Sequence, residues 1–311
     1  MDAIVVKDLE KTYVAKKKRI KAVDGISFSV KEGEIFGLLG PNGAGKSTTI
    51  NIIAGLLKCD AGTIRILGKD PDMDWEYVRN RMNTASAYFG LSDILSVSEN
   101  LRVYGRLFDV KELEKRIDYL LALFELSHLK HKKSNQLSSG ERTRLTLCKG
   151  LLNTPKVLLL DECTVGLDPD IAEKTRRAIR EYQKNEKATI IFTSHYMYEV
   201  EELCDRIAFL SAGKIVKIDT ATNLKKLIKN EQIEIDFVKT DPKLKAFFSQ
   251  KGIDIMFVGE NAVRFEVEAG SERLYKLLNS LFTRGYKVRE LSIHRPTLDD
   301  IFITIARGGK R

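Results

Sequence analysis

The sequence predicts an α/β fold, a mixed and mainly parallel sheet flanked by helices, joined to a smaller α+β unit. Three observations carry this. Short β-branched runs alternate with helical stretches up to about residue 220, the apolar period becomes helical between about 96 and 152, and a β-α-β-β-α-β order follows residue 230.

The first strands are short: Ile4 to Val6, Ile26 to Val30, Ile35 to Leu39 and Thr63 to Leu67, broken by Gly and charged residues, with a helix starting near Gly45. Val97, Leu101, Tyr104 and Phe108 then share one helical face, and Leu113, Ile117, Leu120 and Phe124 another. Ser96 and Glu99 have capping-box spacing at the first of these helices. Strands return at Val157 to Leu160, Thr189 to Phe192, Arg206 to Leu210 and Lys214 to Ile218, with a helix around 170 to 185.

After 230 the spacing predicts strand 231 to 238, helix 241 to 251, strands 253 to 258 and 262 to 268, helix 271 to 284 and strand 286 to 293, a ferredoxin-like order. A last amphipathic helix follows Pro296, with Leu298, Ile301, Phe302 and Ile305 on the face that packs on that unit or on a second subunit. The expected domains are 1–220, containing a helical subdomain over about 88–153, and 221–311.

A chain of 311 residues with 43% apolar content buries a core large enough for more than one domain. The cysteines Cys59, Cys148, Cys163 and Cys204 form no CxxC pair and no histidine stands near them at zinc spacing, which points to a reducing compartment and no structural metal. The start MDAIVVKDLEK lacks a signal-like apolar core, and no apolar run approaches the roughly 20 residues that span a bilayer, so a cytoplasmic location is expected. The net charge of +9 is spread along the chain among acidic residues, so no direct nucleic-acid partner is expected. The densest basic run, Lys16 to Lys21, falls at a hairpin tip, where it reads as a solvated turn, with contact to lipid headgroups as the alternative.

The chemistry concentrates in two places. Gly40-Pro41-Asn42-Gly43-Ala44-Gly45-Lys46-Ser47-Thr48 matches G-x-x-x-x-G-K-[ST] between a strand and a helix. Glycines let backbone N–H groups close around phosphate oxygens, and the helix N-terminus points positive charge at them. Lys46 would bridge the β- and γ-phosphates and Ser47 would ligate Mg2+. The second place is Asp161-Glu162, adjacent carboxylates ending a buried strand at the sheet edge where ligands of such folds bind. Asp161 would hold the magnesium and Glu162 would polarise the attacking water.

Between these motifs lies Leu137-Ser138-Ser139-Gly140-Glu141, similar to the LSGGQ signature of ABC transporter ATP-binding subunits. Gly166-Leu167-Asp168 looks like that family's D-loop, Thr193-Ser194-His195 like its switch-histidine segment, and Tyr13 like the aromatic that stacks on adenine. The resemblance runs from residue 1 to about 220. It implies a P-loop ABC ATPase domain using ATP and Mg2+, a homodimer closing head to tail, Ser138 and Gly140 on the partner's γ-phosphate, Asp168 at the interface, and His195 at the γ-phosphate. The first turn of the helix opened by Ser139 or Gly140 and running to about Leu152 can offer free N–H donors to that phosphate.

The sequence departs from the family pattern in three ways. The glutamine usual before the helical region is absent from Asn83 to Asp93, leaving Ser86 or Tyr88 near its place. Cys163 replaces the common proline after the catalytic glutamate, and Ser139 and Glu141 replace the first glycine and the glutamine of the signature.

The closing segment Thr297-Leu298-Asp299-Asp300-Ile301-Phe302 resembles the C-terminal extension of ABC-2 type exporter ATPases, of the drug or sodium exporter kind. That implies a separate multispanning permease, docked beside residues 84 to 108, and a peripheral position on the cytoplasmic face of the membrane. The rival class is an ABC ATPase acting on a ribosome or nucleic acid. Those branches carry two nucleotide domains or a long insertion, and this chain has one phosphate loop and neither insertion.

Overall fold

A computed structural model describes residues 1–15, 18–86, 90–227, 230–239, 241, 243–268 and 271–306, in two units, Met1–Ala221 and Thr222–Arg311. The side chains of Ala15 and of residues 303–306, Ile305 among them, lie outside the description, as do Lys16, Lys17 and Tyr88.

The chain opens with a long hairpin in place of two short strands. β1 (Asp2–Ala15) pairs antiparallel with β2 (Lys18–Lys31) from Asp2↔Lys31 to Ala15↔Lys18, and β4 (Ala61–Ile66) pairs along the other edge of β1. Among the described side chains of β1, Ala3, Ile4, Val6 and Leu9 are the buried ones. The rest of that strand is held by ladder bonds among charged residues, which is why the apolar pattern under-reads its length. Lys18, Arg19, Ile20 and Lys21 are exposed near the tip, and Lys21 is partly neutralised by Asp24 (2.5 Å) and Glu10 (3.1 Å).

The second sheet has the order β5-β6-β7-β3-β8-β9. β5 (Met82–Ser86), β6 (Val157–Asp161), β7 (Thr189–Thr193), β3 (Ile35–Leu39) and β8 (Arg206–Ser211) are parallel, and β9 (Lys214–Asp219) turns back antiparallel. β3, β6 and β7 are buried at every position, as expected where both faces of a parallel sheet are covered. Because these three are adjacent and parallel, the loops leaving their carboxyl ends meet at one sheet edge.

Helices α1 (Lys46–Ile53) and α6 (Pro169–Glu186) link sheet strands. α2 (Trp75–Arg79), α7 (Met197–Leu203) and strand β5 go beyond the elements expected from periodicity. The helical segment contains α3 (Val97–Leu107), α4 (Leu113–Leu123) and α5 (Ser139–Leu151). Ser96 and Glu99 form the expected capping box at α3. Val97 and Leu101 of α3 and Ile117 and Leu120 of α4 are buried. α5 lies so close to β5 that a Cβ on Gly150 would stand 2.9 Å from Ala85 Cβ.

In the second unit, β10 (Asn230–Phe237), β11 (Met256–Val258), β12 (Ala262–Glu268) and β13 (Val288–His294) form an antiparallel sheet of order β11-β12-β10-β13, the ferredoxin-like arrangement. α8 (Ala221–Lys225) precedes it, and α9 (Lys243–Gln250) and α10 (Glu272–Thr283) provide helical residues to its core. Ile233, Ile235 and Phe237 form that core with Phe247, Phe248, Leu277 and Leu281. β11 is shorter than the expected 253 to 258. It pairs only with Ala262–Arg264, and Ile253 fills the core from the loop before it. α11 (Leu298–Ala306) starts with Thr297 and Asp300 bonded reciprocally, and Leu298 and Ile301 are buried within the single chain.

Candidate functional site

The phosphate loop runs from the end of β3 into α1. Gly43 and Gly45 have φ of 79° and 105°, values L side chains rarely adopt, and a Cβ on Gly45 would stand 2.3 Å from the Ala22 carbonyl oxygen. A Cβ on Gly40 would stand 2.4 Å from the Leu210 carbonyl oxygen, so the loop is wedged between β2 and β8 with no room for a side chain at Gly40 or Gly45. Pro41, Asn42, Gly43 and Ser47 face solvent, Thr48 is half-buried, and Ala44, Gly45 and Lys46 are buried.

Lys46 Nζ donates to the carbonyl oxygens of Gly40 (2.6 Å) and Pro41 (3.1 Å), which folds the side chain back over its own loop. Burial lowers its pKa from the ordinary 10.5, against the opposing attraction of Glu162 and Asp161. A desolvated cation beside exposed backbone donors at a helix N-terminus is an anion site.

Asp161 ends β6 and is nearly buried, accepting the Thr193 hydroxyl at 2.6 Å. Ser47, Thr84, Ser86 and Asp161 line one cavity of about 180 Å3. Ser86 also lies opposite Asp161 in the β5–β6 register, so of the two residues near the missing glutamine it is the one described at the site.

Glu162 has φ of 51°, a left-handed conformation that a non-glycine residue holds only under constraint. Its N–H is shared between Thr193 O (3.2 Å) and Thr193 Oγ1 (3.1 Å), so one threonine on β7 fixes both Asp161 at the end of β6 and Glu162 just after it. Its side chain is partly exposed, with Oε1 3.8 Å from Nδ1 of His195, beyond direct hydrogen-bond length and short enough for an oxygen to bridge. The phosphate loop, Asp161, Glu162 and His195 therefore converge on the sheet edge.

The remaining expected residues stand elsewhere. Ser138 is the N-cap of α5, its hydroxyl accepting the Glu141 N–H (3.2 Å) and its own N–H donating to Glu141 Oε2 (2.8 Å). This capping box gives a local role to the glutamate found where the signature has glutamine. Ser138 and Ser139 are exposed, and a Cβ on Gly140 would meet Leu167 Cδ2 at 3.3 Å, so the start of α5 abuts the loop before exposed Asp168. Among the described residues no hydrogen bond or ion pair joins Ser138–Gly140 to the phosphate loop. Tyr13 is 42% exposed on β1 opposite Ile20, two residues along β2 from the Ala22 that abuts Gly45.

Sequence reasoning missed two contributors. Thr193 is the hydrogen-bonding hub just described, and Glu199 on α7 is a fully buried carboxylate. A glutamate between Met197, Val200 and Leu203, on the apolar side of a short helix, is the signal that marks it.

A phosphate loop at the edge of a parallel sheet, with an acidic pair at the end of a strand two places along that sheet, defines a P-loop nucleoside triphosphatase. Comparison with known proteins narrows this: the chain belongs to the ABC transporter ATP-binding family and is an ABC ATPase. Residues 23–165 match the ABC transporter model, and residues 220–306 match the C-terminal domain of DrrA1-3-like ATP-binding proteins. The chain is 31% identical over 99% of its length to the daunorubicin resistance ATP-binding protein DrrA3 of Streptomyces coeruleorubidus, covering 97% of that protein. It is 32% identical to the linearmycin resistance ATP-binding protein LnrL of Bacillus subtilis (strain 168), over 96% of each chain. Among solved structures, the dimeric post-hydrolysis state of the ATP-binding cassette MJ0796 bound to ADP and Pi aligns with a TM-score of 0.63 at 26% identity, over 70% of this chain and 98% of that one.

Proposed function

We propose that this chain is the ATP-hydrolysing subunit of an ABC-2 type exporter, cycling between an open pair and a closed head-to-tail pair of identical nucleotide domains. The observation that carries the proposal is the convergence of Lys46, Asp161, Glu162 and His195 at one sheet edge, in a chain whose near full-length relatives are named resistance ATP-binding proteins.

Lys46 and the loop N–H groups hold the β- and γ-phosphates of ATP. Ser47 and Asp161 are hard oxygen donors on one cavity, a set suited to Mg2+, which commonly takes one or two protein ligands and completes its shell with phosphate oxygens and water. Bound there, the ion would draw charge from the bridging phosphate oxygens. Glu162 orients and deprotonates the attacking water, and His195 contacts the γ-phosphate. Tyr13 stacks on adenine. Ser138, Ser139 and Gly140 reach the γ-phosphate bound by the partner copy, with Asp168 beside them across the interface.

Among the described residues no helix is long and apolar enough to cross a membrane. The path for the exported molecule accordingly belongs to a separate multispanning permease, docked near residues 84 to 108, with this chain peripheral on the cytoplasmic face. The test is affinity purification of tagged Glu162→Gln protein from detergent-solubilised source cells with Mg-ATP present, followed by mass spectrometry. Recovery of a multispanning membrane protein supports the proposal; ribosomal proteins or DNA, with no membrane protein, overturns it.

A further inference from the structure

One fully buried charge in the first unit lies outside the residues assigned above. Glu199 has no solvent exposure, and its carboxylate collects donors from three separate segments. Oε2 accepts the hydroxyls of Thr164 and Ser194, each at 2.6 Å, and Oε1 accepts Arg176 Nη1 at 3.2 Å. Thr164 follows Glu162 by two residues, Ser194 immediately precedes His195, and Arg176 lies on α6, the helix that Asp168 opens. All three partners are buried. Arg176 is fixed on its other side by Glu202 (2.8 Å).

An ion in this position is costly unless each of its oxygens is matched, and an apolar side chain would fill the space without that cost. What the carboxylate adds is direction. Among the described residues, the backbone bond between the two segments beyond the ends of β6 and β7 is the one from the Glu162 N–H to the Thr193 carbonyl oxygen (3.2 Å), so side chains carry much of what sets the two loops. Thr193 fixes the backbone N–H of Glu162 on one side, and the Thr164–Glu199 bond holds the chain on the other. A non-glycine residue at φ 51° persists only when its surroundings over-determine it, and these two bonds flank it. Through Ser194, the same carboxylate holds the segment that carries His195, and Ser194 in turn accepts the Tyr196 N–H at 3.0 Å.

We infer that Glu199 is a positioning residue for hydrolysis, a single buried carboxylate that locks the Glu162 loop and the His195 loop to each other and to α6. It touches neither nucleotide nor water. Its contribution is the alignment of the two groups that do, and the inference rests on the assignment of Glu162 and His195 to the γ-phosphate.

The test uses the full chain with Glu199→Gln, Thr164→Val and Thr164→Ser. In Glu199→Gln the amide keeps the shape but presents N–H where a donor expects an acceptor; Thr164→Val removes one donor, and Thr164→Ser keeps it. Misplacement of this kind is expected to lower kcat on the order of a hundredfold in Glu199→Gln and Thr164→Val. KM for Mg-ATP and affinity for a fluorescent nucleotide should stay in place when measured well below the thermal midpoint, which is expected to fall as a buried pairing is lost, and Thr164→Ser should keep its turnover. Adding Glu199→Gln to Glu162→Gln should slow the residual single-turnover rate by a smaller factor than Glu199→Gln alone slows the parent, because only the His195 part of the alignment is left to lose. Retained kcat in both Glu199→Gln and Thr164→Val overturns the inference, as does a kcat that falls only in step with nucleotide affinity and stability. Full turnover in Glu162→Gln alone would instead remove the assignment on which the inference rests.

Discussion

His195 Nδ1 stands 3.8 Å from Glu162 Oε1, at the ends of two neighbouring parallel strands. A water oxygen at hydrogen-bond distance from both would stand beside the line joining them, which suits the proposed roles of Glu162 as the base and His195 as a donor to phosphate. Removing one such donor to a developing charge typically lowers kcat about a hundredfold, so His195→Ala should fall by that order with nucleotide affinity little changed. Phosphate-release kinetics beside a nucleotide titration measure both, and an unchanged kcat would contradict the role.

Lys46 gives a pH prediction. Burial lowers its pKa in the free protein, and bound phosphates favour the charged form and raise it again. At alkaline pH, between the two values, ATP binding should therefore take up protons, and affinity should fall as pH rises through the free-state pKa. Calorimetry in buffers of different ionisation enthalpy reads the uptake directly. Lys46→Arg, charged throughout this range, should abolish it.

How far the site was legible depends on how local each feature is. Gly40 to Thr48 and the Asp161-Glu162 pair could be read because their chemistry is fixed by spacing along a few residues. The capping box of Ser138 and Glu141 has the same spacing as that of Ser96 and Glu99, but Glu141 also stands where the family signature has glutamine, which masks its local role. Thr193 and Glu199 depend on which strands and loops become neighbours, which periodicity does not report. β5 has the unpromising sequence Met82-Asn83-Thr84-Ala85-Ser86 and is a strand because β6 pairs with it. The ferredoxin-like order was legible because its alternating strands and amphipathic helices are short and regular, and only the brief pairing of β11 was over-read.

The signature residues face outward at the start of α5, which predicts a separation of binding from assembly. Ser138→Arg in a Glu162→Gln background should bind ATP normally and fail to dimerise, as followed by size-exclusion chromatography with light scattering. Loss of the cap alone costs about 1 kcal/mol, so Ser138→Gly, which costs a few tenths, controls for it. Equal ATP-driven dimerisation in Ser138→Arg would contradict the head-to-tail arrangement.

Burial raises the thiol pKa of Cys148, Cys163 and Cys204, and Cys59 is the half-buried thiol. In native protein an aromatic disulfide reagent should label Cys59 fast and the other three only after unfolding. Peptide mapping of the early product checks this, and early labelling of Cys163, beside Glu162, would show that the acidic loop opens far more often than its hydrogen bonding implies.

In the proposed site Glu162 activates water while the phosphate cradle is built from other residues, Gly40 to Thr48. The direct measurement is Mg-ATP binding and turnover by purified Glu162→Gln, with its oligomeric state followed in parallel. We predict retained binding, turnover reduced by a factor on the order of a hundred or more, and accumulation of an ATP-bound dimer. Undiminished turnover in that variant would contradict the account.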